Sequence, residues 1–120
     1  MKREQIAKNI VADLKELAAL TSDADGAQRV AWTPTFKKAT EWFTQKMQAA
    51  GADVWTDAAG NSWAKFAGES KECIVIGSHL DSVPDGGWLD GALGVVAGMG
   101  IGAYGLADKK QNSLRCRLGR

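Results

Sequence analysis

The sequence predicts one layered α/β domain. Two amphipathic stretches have helical spacing, a paired strand signal follows them, and then a short, continuously apolar, β-branched run reads as a central strand. Ile6, Ile10, Leu14 and Leu17 recur at helical spacing, with Val11 and Ala18 widening the stripe, while Lys2, Glu4, Lys8, Lys15 and Glu16 fall off it. These place a helix over about 3–20. Thr21-Ser22-Asp23-Ala24-Asp25-Gly26 is then a loop of turn-forming residues. The second helix, about 34–50, has an N-cap in Thr33 and Pro34 at its first position, where a missing N–H costs nothing. Phe36, Ala39, Phe43, Met47 and Ala50 form its apolar face, and Gly51 suits the left-handed position just beyond it.

Residues 52–57 and 62–67 flank a Gly60-Asn61 turn and predict a β-hairpin. Cys73-Ile74-Val75-Ile76-Gly77 has the composition of a strand buried on both faces, which makes Cys73 a small buried hydrophobe. Trp32, Trp42, Trp55 and Trp63 are expected to pack between the layers. Beyond Gly91 the glycines recur, and Gly94, Gly98 and Gly102, spaced by four, would let a helix approach a sheet closely. Each interior glycine costs roughly 1 kcal/mol relative to alanine, so no regular element is expected past Met99.

Length and composition bound the function. The chain has 120 residues, 45% apolar and 24% charged, with a formal net charge of +1. That allows one compact domain and gives no electrostatic footprint for nucleic acid or an anionic membrane. No apolar run approaches the roughly 20 residues of a membrane span, and no signal peptide opens the chain. Cys73 and Cys116 are too few for a disulfide framework and read as reduced thiols, so a cytoplasmic location is expected. Residues 1–98 hold ten Lys/Arg against thirteen Asp/Glu, a net of −3, whereas residues 99–120 hold five against one, a net of +4. The domain is therefore expected over 1–98, with 99–120 a divergent tail whose simplest origin is translation out of frame.

The chemistry lies in residues 77–91. His79, the only histidine, stands just past the expected strand, where ligands and catalytic groups of open α/β sheets collect. On extended backbone His79 and Asp81 share a face. One ring nitrogen can then bind a metal while Asp81 accepts a hydrogen bond from the other, which supports a ligating imidazole. Asp90 lies beyond a Pro84-Asp85-Gly86-Gly87 turn that can return it to the same place. A structural histidine with loop-capping carboxylates is the plainer reading of the same residues. A Ser-His-Asp triad is disfavoured, because Ser78 and His79 point to opposite faces and no Gly-x-Ser-x-Gly elbow surrounds the serine. Asp23, Asp25 and Asp85 read as solvated turn residues. Arg29 reads more readily as half of a surface ion pair than as a contact for a substrate carboxylate, and Trp88 is a candidate for the rim of a substrate entrance.

His79-x-Asp81, eight residues, then Asp90-Gly91 resembles the first metal motif of the two-metal aminoacylase and carboxypeptidase superfamily. The fuller string GSHLDSVPDGGWLDGALGVVAG, residues 77–98, is similar to its N-carbamoyl-L-amino-acid hydrolase and allantoate amidohydrolase branch. Residues 26–33 (GAQRVAWT), 48–54 (QAAGADV) and 57–61 (DAAGN) agree with that branch in order and spacing. The resemblance implies the N-terminal part of a three-layer α/β/α metallopeptidase-like catalytic domain. It implies two divalent cations, zinc first, with manganese, cobalt or nickel as alternatives. His79 becomes a ligand of one ion, Asp90 the bridging carboxylate, and Asp81, in the catalytic set, the residue that orients His79. It also implies a cis peptide bond at Asp90-Gly91. The substrate would be a small ureido or amide compound, such as an N-carbamoyl amino acid or allantoate, cleaved at a linear C–N bond. The intact family is homodimeric through a domain with no counterpart here. Its Glu-Glu pair and later histidines also have none, since no Glu follows Glu72 and no His follows His79. A catalytically silent fragment, a half completed by a separate chain, and an aminoacylase or peptidase of the same superfamily are the competing expectations.

Overall fold

The structure is a computed structural model, and it describes residues 1–105. Helix α1 (Arg3–Thr21) leads into a tight antiparallel pair, β1 (Ser22–Asp23) and β2 (Gly26–Ala27). Helix α2 (Pro34–Ala49), the hairpin β3 (Asp53–Thr56) and β4 (Ser62–Lys65), and helix α3 (Ala92–Gly100) follow, and a π-helical turn, Ile101–Gly105, continues α3. Helix α1 packs against both α2 and α3, and α2 covers the hairpin.

Local chemistry sets the boundaries. Thr33 accepts a hydrogen bond from the Phe36 amide at 3.3 Å, capping α2 ahead of Pro34. At the other end Gly51 takes φ +87°, its amide reaches Gln48, and the Ala52 amide reaches Met47. That double closure is a Schellman motif, which a residue with a Cβ would form less readily. In the hairpin, Asp57 accepts from the amides of Ala59 and Asn61, the Asn61 side chain and the Trp63 indole. Trp55 and Trp63 are cross-strand partners and stack at 6.2 Å.

The core joins Leu14 and Leu17 of α1, Ala39, Trp42, Phe43 and Met47 of α2, Ala64 and Phe66, and Ala92, Val96 and Met99 of α3. Each large aliphatic side chain buried there contributes about 1.5–3 kcal/mol. The buried face departs from the expected stripe at two positions. Val11 is exposed, and Asp13 occupies the buried face instead. Its carboxylate accepts from Lys46 at 2.8 Å and from the Tyr104 hydroxyl at 2.6 Å, while Glu16 pairs with Lys46 at 2.7 Å. Burial opposes the Lys46 charge, but the hydrogen bonds to Asp13 and Glu16 outweigh it and hold the ammonium pKa above its ordinary value. Burial, then the bond to Asp13, pushes the Tyr104 phenol up to about 12.

The glycines of α3 are close-approach positions. A Cβ on Gly94 would lie 2.7 Å from Ser78 Cβ, and one on Gly98 would lie 2.9 Å from Ile76 Cγ2. On Gly100 and Gly102 it would strike Ile10 and Phe66. The helix therefore lies directly on residues 76–78, a close approach of the kind the four-residue spacing allows, although these residues belong to no sheet among the described residues. The expectation of no regular element past Met99 is corrected by the same contacts, because packing on Ile10 and Phe66 and the Tyr104–Asp13 bond favour continued helix over the intrinsic cost of glycine. The remainder of the expected tail, residues 106–120, including Cys116, lies outside the described residues.

Two further expectations are corrected. Residues 73–78 run extended, but among the described residues no strand pairs with them. With no strand beside it among the described residues, the run shows its faces to solvent: Cys73, Ile74 and Val75 are exposed. Trp32 is also exposed, at φ +68°, because the chain reverses there to enter α2 and turns the indole outward. Among the described residues no helix is long and apolar enough to cross a membrane.

Gly98→Val should cost about 1–3 kcal/mol, since the added methyls overpack against Ile76; urea unfolding of parent and variant measures it. A pH dependence follows from Asp57, whose carboxyl is held down at about 2, chiefly by the Trp63 indole. A depressed carboxyl pKa gives stability that is present above about 3.8 and is lost as pH falls through about 2. Thermal unfolding should therefore show a smaller loss of Tm over that interval in Asp57→Asn than in the parent.

Candidate metal centre

The site loop is built on residues 26–29. The Ala27 amide donates to the Gly86 carbonyl at 2.8 Å, and the Gly86 amide returns to Ala27 at 3.0 Å. The Ser82 amide donates to the Arg29 carbonyl at 2.8 Å, and the Ser82 hydroxyl accepts from the Arg29 amide and donates to the Ala27 carbonyl. Gln28 grips Asp85 from both sides: its amide oxygen accepts from the Asp85 backbone, and its nitrogen donates to the Asp85 carboxylate at 2.7 Å. That clamp holds Asp85 at φ +54°, a left-handed conformation that an aspartate tolerates in a turn. Gly26 allows the two segments to meet, since a Cβ there would sit 2.7 Å from the Gly86 carbonyl, and Gly86 lets the turn close, since a Cβ there would lie 2.8 Å from the Val83 carbonyl.

This pairing fixes an alternation. Leu80 and Ser82 point inward and are buried, so His79 and Asp81 point outward together. His79 Nδ1 lies 3.2 Å from a carboxylate oxygen of Asp81 and 3.0 Å from its carbonyl oxygen. Two acceptors at Nδ1 favour the tautomer with the proton there, leaving the Nε2 lone pair free. Nε2 lies 3.8 Å from the Asp90 carboxylate. The Pro84-to-Gly87 turn thus returns Asp90 to the far side of the ring.

The donor set fits a divalent metal. Two donors about 2.0–2.1 Å from one tetrahedral ion stand about 3.3–3.4 Å apart. Nε2 and Asp90 are separated by somewhat more, and the Asp90 side chain is exposed and free to close the difference. His79 and Asp81 also border a groove of about 320 Å³ whose other walls are Phe36, Phe43, Trp63 and Val95. Trp88 is exposed and does not line that groove. Among the described residues, one group of three acids brings its oxygens mutually within 4.8 Å: Asp23, Asp25 and Asp85, all exposed. Asp23 and Asp85 already accept from Gln28, so this cluster is accounted for as a loop clamp.

Two expectations about this region are corrected. None of the described peptide bonds is cis, Asp90-Gly91 included. A cis non-proline bond costs about 3–4 kcal/mol and needs enforcing contacts; here the Asp90 side chain is exposed, and its amide and carbonyl bond only within the turn, to Gly87 and Ala92. Gly91 makes the turn at φ +68° instead, with its Cα against His79. Arg29 is not in a surface ion pair. It is fully buried and donates from Nε to the Leu80 carbonyl at 2.7 Å and from Nη1 to Thr21 at 3.3 Å. Sequence reasoning missed Gln28, Arg29 and Ser82 as builders of the loop. The signal was residues 26–33, whose similarity to the same branch marked them without showing what they touch.

A Cβ on Gly91 would collide with the His79 carbonyl and ring. Gly91→Ala should destabilise the fold by more than about 1 kcal/mol, because φ is positive, and should displace the single imidazole resonance set in NMR spectra; an unmoved ring would contradict the contact.

No family model matches the chain. It is 36% identical over 78% of its length to an N-carbamoyl-L-amino-acid amidohydrolase of Paenarthrobacter aurescens, covering 23% of that protein. It is 34% identical over 79% of its length to a probable allantoate deiminase of Oryza sativa subsp. japonica, covering 20% of it. A crystal structure of a hydantoinase/carbamoylase family amidase from Burkholderia ambifaria superposes with a TM-score of 0.76 at 33% identity, over 79% of this chain and 24% of that one. The chain spans about a quarter or less of the length of the relatives it matches. Over that span the chain is similar, in sequence and in its metallopeptidase-like fold, to amidases of the hydantoinase/carbamoylase family.

Proposed function

We propose that this chain carries part of the metal centre of an amidohydrolase that cleaves linear C–N bonds in small ureido or amide compounds, N-carbamoyl-L-amino acids or allantoate. The observation that supports it most is the His79 ring held between two carboxylates, Asp81 at Nδ1 and Asp90 toward Nε2. In this reading His79 and Asp90 are metal ligands, with Asp90 the carboxylate shared between two ions, and Asp81 orients the imidazole. Zinc is the first choice for a mixed His/carboxylate set, with manganese, cobalt and nickel next. A divalent ion there supplies Lewis acidity toward a carbonyl and toward water. The chain's own residues hold the imidazole tautomer, aim its lone pair and bring the second carboxylate to the same place. The intact enzyme is read as a cytoplasmic homodimer.

The same reading limits what the chain does by itself. A catalytic zinc normally takes three protein ligands plus water. The sequence offers one histidine, and no glutamate follows Glu72 to serve as general base. A general base typically contributes about 10²–10⁴-fold in rate. With zinc or manganese added, the purified chain should bind metal weakly and hydrolyse neither N-carbamoyl amino acids nor allantoate above a metal-only blank. His79→Ala should abolish the metal binding. Turnover that disappears in His79→Ala would contradict the expectation of inactivity, and metal binding unchanged in that variant would contradict the assignment of His79.

A further inference from the structure

The residue under the loop is the least expected feature of the molecule. An arginine is rarely buried without a carboxylate partner, because desolvating the charge is expensive. Arg29 is 0% exposed, and both of its observed acceptors, the Leu80 carbonyl and the Thr21 hydroxyl, are neutral. Its second terminal nitrogen, Nη2, is buried with no hydrogen-bond partner among the described residues. Packing alone would be served better by a methionine or leucine, so the charge and the planar fork call for another explanation.

We propose that Arg29 is the positioning residue of the metal-ligand loop: from beneath, it fixes the carbonyl of Leu80 and so sets His79 and Asp81 on one outward face. This rests on the reading of His79 and Asp90 as ligands given above. The Leu80 carbonyl belongs to the peptide plane joining Leu80 to Asp81, the middle of the His79-x-Asp81 unit. Arg29 Nε holds that oxygen at 2.7 Å, while the Arg29 backbone amide and carbonyl hold the hydroxyl and amide of Ser82 at 3.0 and 2.8 Å. One residue thus grips two consecutive inward positions of the loop. The outward residues are left with little freedom except about their own side-chain bonds. Charge gives the second part of the role. Asp81 and Asp90 converge on one imidazole and repel each other, and a fixed cation below offsets that repulsion. Burial pulls the Arg29 guanidinium below its ordinary pKa, and Asp81 and then Asp90 pull it back up. Lysine would keep the charge but not the planar fork.

The test uses the full 120-residue chain with Arg29→Met, Arg29→Lys and His79→Ala. Zinc affinity is read by competition with a chromophoric chelator. The single imidazole is read without metal, at one fixed pH, by ¹⁵N NMR. Arg29→Met is expected to lower zinc affinity by about 10–100-fold, the range for losing support behind a ligand. It should also shift the ring nitrogens while leaving the backbone fingerprint of α1 and α2 in place. Arg29→Lys should fall between it and the parent. A folded Arg29→Met with affinity within about twofold of the parent and an unmoved ring overturns the proposal. Failure of both Arg29 variants to fold also overturns it, because Arg29 is then a requirement of the whole core. If His79→Ala binds zinc as the parent does, the ligand reading fails, and the ring shift in Arg29→Met still decides whether Arg29 positions the imidazole.

Discussion

The junction of residues 26–29 with residues 80–86, one antiparallel bridge at Ala27–Gly86 and a set of hydrogen bonds at Arg29–Ser82, is the constraint on which the rest of the site depends. It joins two stretches more than fifty residues apart through main-chain bonds at Ala27–Gly86 and Arg29–Ser82. A strand register has period two, and a slip of one residue would exchange inward and outward side chains. In the observed register Leu80 enters the core and His79 faces out. The Ser82 hydroxyl, bonded to Arg29 and Ala27 together, defines that register as much as the main chain does. Gly26 and Gly86 make the approach possible, and the Gln28 clamp on Asp85 turns the chain back so that Asp90 returns to the ring.

Buried charge is handled in two ways. Under α1 and α2, Asp13 meets Lys46 and Tyr104, and Lys46 also meets Glu16, so each charge has an opposite or a strong donor in contact. This cluster ties α1 to α2 and to the turn after α3, and its partners explain why an aspartate occupies an apolar face. Arg29 has no such partner among the described residues. Its compensation comes from the loop carbonyl and from the field of Asp81 and Asp90 at the surface, and this links the interior of the fold to the loop above it.

Much of the frame is legible in the sequence, where the signal is local. Thr33, Pro34 and Gly51 mark α2 because capping and left-handed closure depend on the residues at the boundary. The Asp57-to-Asn61 turn marks the hairpin for the same reason, and the four-residue glycine spacing marks the face of α3 that is approached closely, though not that residues 76–78 lie against it outside any sheet. What the sequence does not reveal depends on distant partners. Residues 73–78 have strand composition, yet burial of a strand requires neighbours, and none pairs with it among the described residues. Trp32 looks like a core residue by type and is turned out by a positive φ. Arg29 looks like a surface residue by type and is drawn inside by Leu80, fifty-one positions away. His79, Asp81 and Asp90 were nameable from spacing, whereas which ring nitrogen faces which carboxylate follows only from the loop's path.

In the proposed function this junction presents His79 Nε2 and Asp90 to a divalent ion, with Asp81 behind the ring. X-ray absorption at the zinc edge, on the chain loaded with substoichiometric zinc, tests it most directly. The account predicts one imidazole nitrogen per zinc with the remaining first-shell scatterers oxygen, and loss of the imidazole signature in His79→Ala. An all-oxygen shell in the parent would place the ion on carboxylates alone, such as Asp23, Asp25 and Asp85, and would contradict it.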